Sequence, residues 1–176
     1  AEPSSGGGEV QEAVAVRAEL SSTQSFANNI WAKVKFDSVS GDKLFDTSNS
    51  FDTTENRFTP TTAGYYQVNS VVRIKGDDAS MALAQIQLRK NGEDYEGGNL
   101  SQDSTSAGDQ FNLSTIVYLN GLGDYIEIYG YAGGTNLSFQ SLKNNVNSCW
   151  MSAHLITGQS SGGSGDYTPE KMVWVN

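Results

Sequence analysis

One histidine and one cysteine are the first places to look for chemistry in this chain of 176 residues. Cys149 sits in the run NSCWMSAHLI, and His154 follows within the same run. A nucleophile needs a base beside it and a third group to orient that base. No Ser/His/Asp signature accompanies these two residues. Cys149 therefore reads as a small buried hydrophobe, and His154 as a structural histidine on a strand face. Replacing either is expected to alter stability only. A lone cysteine also permits no intramolecular disulfide. The glycines of GGGEV lack the strand-loop-helix setting of a phosphate loop. Carboxylates gather at Asp77 and Asp78, at Glu93, Asp94 and Glu96, and at Asp103 and Asp109, but none has calcium-loop spacing. They read as solvated loops. Three Asn-Leu-Ser tripeptides, at Asn99, Asn112 and Asn136, are formal glycosylation acceptors of a kind that an Asn- and Ser-rich chain produces by chance. No catalytic residue, cofactor site or metal ligand is assigned, and the chain reads as a non-enzyme.

The elements that would position any site are strands. Apolar residues make up 37% and charged residues 18%, with 19 Gly and 3 Pro, so Ser, Thr, Asn, Gln and Gly must cover much of the surface. That suits an all-β protein rich in turns. The length fits one domain with a real core. A formal net charge of −9 argues against nucleic acid or anionic membrane as a partner. The longest apolar runs fall far short of the roughly 18 residues that a membrane span needs.

Alternation locates the strands. GYYQVNSVVRI puts Tyr66, Val68, Ser70, Val72 and Ile74 on one face, and NIWAKVKFDSV does the same with Ile30, Ala32, Val34 and Phe36. MALAQIQLRK alternates up to Leu88 and runs into Asn91-Gly92, a strong short hairpin signal. Two further strands, 111–119 and 125–131, are joined through NGLGD, and NLSFQSL with CWMSAHLI supplies a final pair. VQEAVAVRAEL, residues 10–20, is compatible with a short helix or a first strand. The chain divides into an N-terminal arm (1–20), one domain (21–157), and a Gly/Ser linker with a C-terminal tail (158–176). Short strands separated by turn signals indicate a sandwich or barrel.

One stretch is more distinctive than the rest. RFTPTTAGYYQV carries Phe58, Pro60 and Gly64 immediately before a strand. Pro60 fixes its own φ, Gly64 offers backbone angles closed to residues with a Cβ, and Phe58 caps a core that Tyr66 and Val68 continue. The longer run FDTTENRFTPTTAGYYQV resembles the signature of the C1q-like globular head domain, in the C1q/tumour necrosis factor jelly-roll superfamily. Phe58-Thr59, Gly64, Tyr66 and Val68 occupy the matching places, with Val68 where the family usually has Phe. VKFDSVSGDKLFD, IQLRKNGE, VYLNGLGDYIEI and MSAHLI resemble further family motifs, in the family's order, over roughly residues 22–157. Met151, Ala153 and His154 depart from the family's usual residues.

The resemblance implies a two-sheet antiparallel jelly roll assembled as a homotrimer, with both chain ends at the base. Tyr65, Gln67, Val71, Tyr118 and Trp150 are the expected trimer-interface residues, because the strand face led by Tyr65 and Val71 needs cover. Some family members hold calcium, but no motif transfers ligands to particular residues of this chain. Three functions compete. One is a virion surface protein, either a bacteriophage capsid decoration (cement) protein or a fibre head. The second is a secreted, lectin-like recognition head, and the third a ligand of the tumour necrosis factor type. The first is preferred, with a larger scaffold such as a capsid or fibre as partner. Met172, Val173, Trp174 and Val175 would then form an attachment tail on the base.

Overall fold

The computed structural model describes residues 13–77, 81–104, 108–141 and 149–158. Its elements are β1 (Ala15–Glu19), β2 (Gln24–Ser25), β3 (Ala32–Lys33), β4 (Phe45–Asp46), β5 (Phe51–Asp52), β6 (Arg57–Phe58), β7 (Gly64–Lys75), β8 (Met81–Lys90), β9 (Glu93–Ser104), β10 (Asp109–Leu119), β11 (Ile126–Ala132), β12 (Ser138–Phe139) and β13 (Trp150–Gly158). Every one is a strand. They form two antiparallel sheets. The first runs β2-β12-β7-β13-β1-β4, with β10 along the other edge of β7; the second runs β5-β6-β11-β8-β9, with β3 on β11.

One core fills the space between the sheets. The first sheet contributes Val16 and Ala18, Tyr66, Val68, Val72 and Ile74, and Val117 and Leu119, all buried. Facing them are Phe58, Ile86, Leu88, Ile126 and Ile128 of the second sheet. Burial along β7 alternates without a break from Gly64 to Lys75, so the period-two reading of this strand holds. The β8–β9 hairpin turns at Asn91 (φ 54°) and Gly92 (φ 83°), the paired positive φ angles that its sequence signals.

Four expectations change. Residues 15–19, placed in an N-terminal arm, are a strand of the first sheet, with β13 on one side and β4 on the other. Packing decides what propensity could not, because Val16 and Ala18 fill the core from this strand. Ile30 lies exposed rather than in the core, since pairing in its segment is confined to Ala32–Lys33. The final two strands do not pair with each other: β12 and β13 both lie along β7. Gly64 has no positive φ and starts β7 as an extended residue. The glycine this corner needs is Gly121 (φ 69°), where a Cβ would meet the Thr61 carbonyl and the Ala63 amide at 2.7 Å. The corner is closed by the buried Tyr66, whose hydroxyl donates to the Thr62 carbonyl at 2.7 Å.

Candidate functional site

The side of the first sheet that faces away from the core is assembled in rows by strand register. Ile116, Gln67, His154 and Ala15 make one row, Ser114, Asn69, Ser152 and Arg17 the next, and Asn112, Val71, Trp150 and Glu19 a third. Tyr118 and Tyr65 stand opposite each other at the end nearest the chain termini, ring centroids 5.3 Å apart. All five expected interface residues, Tyr65, Gln67, Val71, Tyr118 and Trp150, therefore share this one face. Tyr65 and Tyr118 touch, and Val71 stands opposite Trp150 in register. The expected tail residues Met172, Val173, Trp174 and Val175 lie outside the described residues.

Sequence reasoning missed several members of the face. Ile116 is half exposed on β10, Phe45 extends the face at the β4 edge beside Arg17, and Ile156 is exposed at the bulge in β13. Counting by twos from buried Phe111 and Leu113 puts Ile116 on the wet side beside Tyr118; that signal was present. Tyr95 joins the band from β9, its hydroxyl donating to the Ile116 carbonyl at 3.3 Å.

Polar chemistry fills the middle. The Gln67 amide donates to Ser114 Oγ at 3.1 Å and to the Thr115 carbonyl at 3.2 Å, and Ser114 Oγ donates to Asn69 Oδ1 at 2.9 Å. Arg17 stacks on the Trp150 ring at 4.0 Å. Below Tyr118, Lys90 Nζ donates to the Tyr118 carbonyl and pairs with Asp124 at 2.9 Å. Hydrogen bonds from Asn91 and Lys90 hold the Asp124 carboxyl below its usual range.

The two residues first considered for chemistry part company here. Cys149 is fully buried; it accepts from the Arg73 amide and donates to the Gln140 carbonyl, both at 3.2 Å. Burial pushes its thiol up to about 11, the opposite of activation. His154 is not buried: it stands exposed on the outer face between Gln67 and Ala15. Among the described residues, no three His, Cys, Asp or Glu side chains gather where a metal ion could sit. Two polar grooves lie elsewhere, one of about 310 Å³ beside Thr23, Phe26 and Asn136, the other of about 370 Å³ beside Asn49, Asp52 and Arg57. No helix among the described residues is long and apolar enough to cross a membrane.

The first and last described residues share one pole. β1 and β13 are antiparallel neighbours, Ala15 pairs with His154, and the Leu155 amide donates to the Val14 carbonyl. Entry at residue 13 and exit at Gly158 thus fall at the end of the sandwich that carries Asn91-Gly92 and the 120–125 loop.

No protein-family model matches the sequence, and no curated protein does either. Solved structures do match. The globular domain of zebrafish complement 1qA is similar over 84% of this chain and 98% of its own, at 17% identity and a TM-score of 0.55. Murine APRIL covers 82% and 99% at 11% identity and a TM-score of 0.58. The Eiger TNF of S. frugiperda covers 87% and 97% at 11% identity and 0.57. The chain has the C1q/TNF-like jelly-roll fold.

Proposed function

We propose that this chain is a non-enzymatic binding module that works as a homotrimer, with the outer face of the first sheet as its subunit contact and the pole bearing both chain ends as its attachment base. The observation that carries the reading is where apolar surface is left uncovered. Phe45, Tyr65, Ile116 and Tyr118 are exposed on that one face, and Ile156 at its bulge. Tyr65, Ile116 and Tyr118 lie together, and an exposed apolar patch of this kind marks an interaction surface. The exposed patches at the two edges of the face are unlike: Tyr95, Ile116 and Tyr118 on the β9–β10 side, Phe45 and the Arg17–Trp150 stack on the β1–β4 side. Unlike patches on one chain make a head-to-tail contact, which gives a ring when its rotation closes. The similar solved structures support the fold on which such a ring is built.

Two placements use this geometry. One is a virion surface protein, a capsid decoration protein or fibre head held by its termini on a larger scaffold. The other is a secreted recognition head or ligand. The single cysteine, which leaves the domain without an internal disulfide, counts against a disulfide-stapled secreted head. Sedimentation equilibrium tests the module itself. The expected mass is three times the 18.9 kDa chain, and a stable folded monomer at micromolar concentration would remove the reading. Deleting residues 159–176 is expected to leave melting temperature and the number of subunits unchanged while reducing recovery with the particle that carries the protein.

A further inference from the structure

Arg17 has no counterion among the described residues, where the ion pairs are Lys33–Glu127, Arg89–Asp94 and Lys90–Asp124. Its guanidinium lies on the Trp150 ring, and its Nε is buried without an acceptor, as is that of Arg57, in the second sheet, on the Tyr125 ring. Native structures rarely leave a buried charged donor unmet. Stacking also fixes the plane of the guanidinium fork, and a carboxylate in that plane takes two N–H groups at once. In a chain with net charge −9, a carboxylate is the available partner.

Register indicates which one. Tyr95 reaches the Ile116 carbonyl with its hydroxyl, and a Cβ on Gly98 would lie 2.9 Å from the Asn112 carbonyl. Residues 96 and 97 of β9 therefore stand level with Ser114 of β10. Ser114 is in the same row as Asn69, Ser152 and Arg17. In a ring whose axis runs along the strands, rotation carries a residue around the axis but not along it. Glu96 on the edge of one copy thus arrives at the height of Arg17 on the face of the next. Glu96 is exposed and in no ion pair among the described residues. Its neighbours fit less well: Asp94 already pairs with Arg89, and Glu93 sits lower, at the hairpin opposite Lys90. Glu19 follows Arg17 on its own face but forms no ion pair with it.

We propose that Glu96 of one copy pairs with Arg17 of the next, so that the stacked Arg17–Trp150 unit receives the β9 edge of its neighbour. This rests on the trimer reading above and adds the residues that set its register. A charge swap tests it, read by sedimentation equilibrium across a dilution series. Arg17→Glu and Glu96→Arg alone are each expected to weaken assembly about 30-fold or more. The double variant R17E/E96R is expected to recover to within about threefold of the parent chain. Glu96→Gln, at a position exposed in the single chain, guards against misfolding as the cause, and it should weaken assembly while leaving the thermal melt of the single chain unchanged. A parent trimer whose single variants assemble normally, or whose double variant is as weak as both changes summed, overturns the pairing and leaves the trimer standing. A parent chain that is monomeric overturns both.

Discussion

The outer faces of the two sheets are built from similar residues and resolved in opposite ways. On the second sheet, Lys33 Nζ pairs with the buried Glu127 at 2.5 Å, and Arg89 lies over Tyr129 at 4.2 Å while bonding Asp94. Trp31 packs on Tyr131 at 5.5 Å, and Tyr131 donates to Asn29. Lys33 and Arg89 are thus met by carboxylates within one chain, while Arg57 lies over the Tyr125 ring at 4.6 Å with no ion pair among the described residues. On the first sheet, Tyr65 and Tyr118 pack on each other with Lys90 near the Tyr118 ring, Ile116 and Phe45 face outwards, and Arg17 has a ring but no anion among the described residues. Counterions meet much of the charge on one face; on the reading proposed above, a second copy covers the other. Similar strands can therefore carry a surface for water and a surface for a partner, distinguished by how completely local contacts satisfy their side chains.

Mutation should separate the two faces cleanly. The largest effect is expected on the second sheet, where Lys33→Ala strands a buried Glu127 and should cost about 3 kcal/mol of folding stability with assembly of the folded protein intact. Chemical denaturation measures the first part and sedimentation the second. The converse variant is Tyr118→Ser. It should weaken assembly about 30-fold, or about 2 kcal/mol, while the melt of the dilute single chain stays within a degree or two. If either variant behaved like the other, the contrast between the faces would collapse.

High pH acts on the core between the faces. Burial raises the Cys149 thiol from 9.0 to about 11 and the Tyr66 hydroxyl from 10.0 to about 12. Each group holds its proton more tightly folded than unfolded. Their contribution is whole below about pH 9 and is lost as pH climbs through 11 and 12. The thiol accounts for up to about 2 kcal/mol of that loss. Cys149→Ala should therefore flatten the fall in melting temperature between pH 9 and 11. The smallest effect belongs to His154→Gln. Because His154 is exposed, stability should move by less than about 0.5 kcal/mol, short of what a buried histidine would give.

Much of this was legible in the residues. The β7 alternation, the Asn91-Gly92 turn and the ordered motifs from Val34 to Ile156 are enough to reach the fold, because local pattern and tertiary packing agree there. The same alternation puts the five expected interface residues on one face, though it cannot say what covers that face. Where sequence reading failed, a long-range contact decided. β1 is five residues of mixed propensity made a strand by its neighbours β13 and β4. Ile30 continues an alternation whose pairing stops after Lys33, and the special φ sits at Gly121 because its loop packs on residues 61–63, distant in sequence. The Arg17–Trp150 stack joins residues from the two ends of the domain, a contact that neither local sequence encodes.

The account rests on the first sheet's outer face being covered by another copy, and two isoleucines provide the control. In the single chain Ile116 is 51% exposed on that face and Ile30 is 56% exposed on a loop away from it. Hydroxyl-radical footprinting read by mass spectrometry compares side chains of identical intrinsic reactivity and nearly equal exposure. At micromolar concentration the account predicts strong protection of Ile116, with Ile30 oxidised freely, and convergence of the two on dilution. Equal oxidation of Ile116 and Ile30 at every concentration would contradict it.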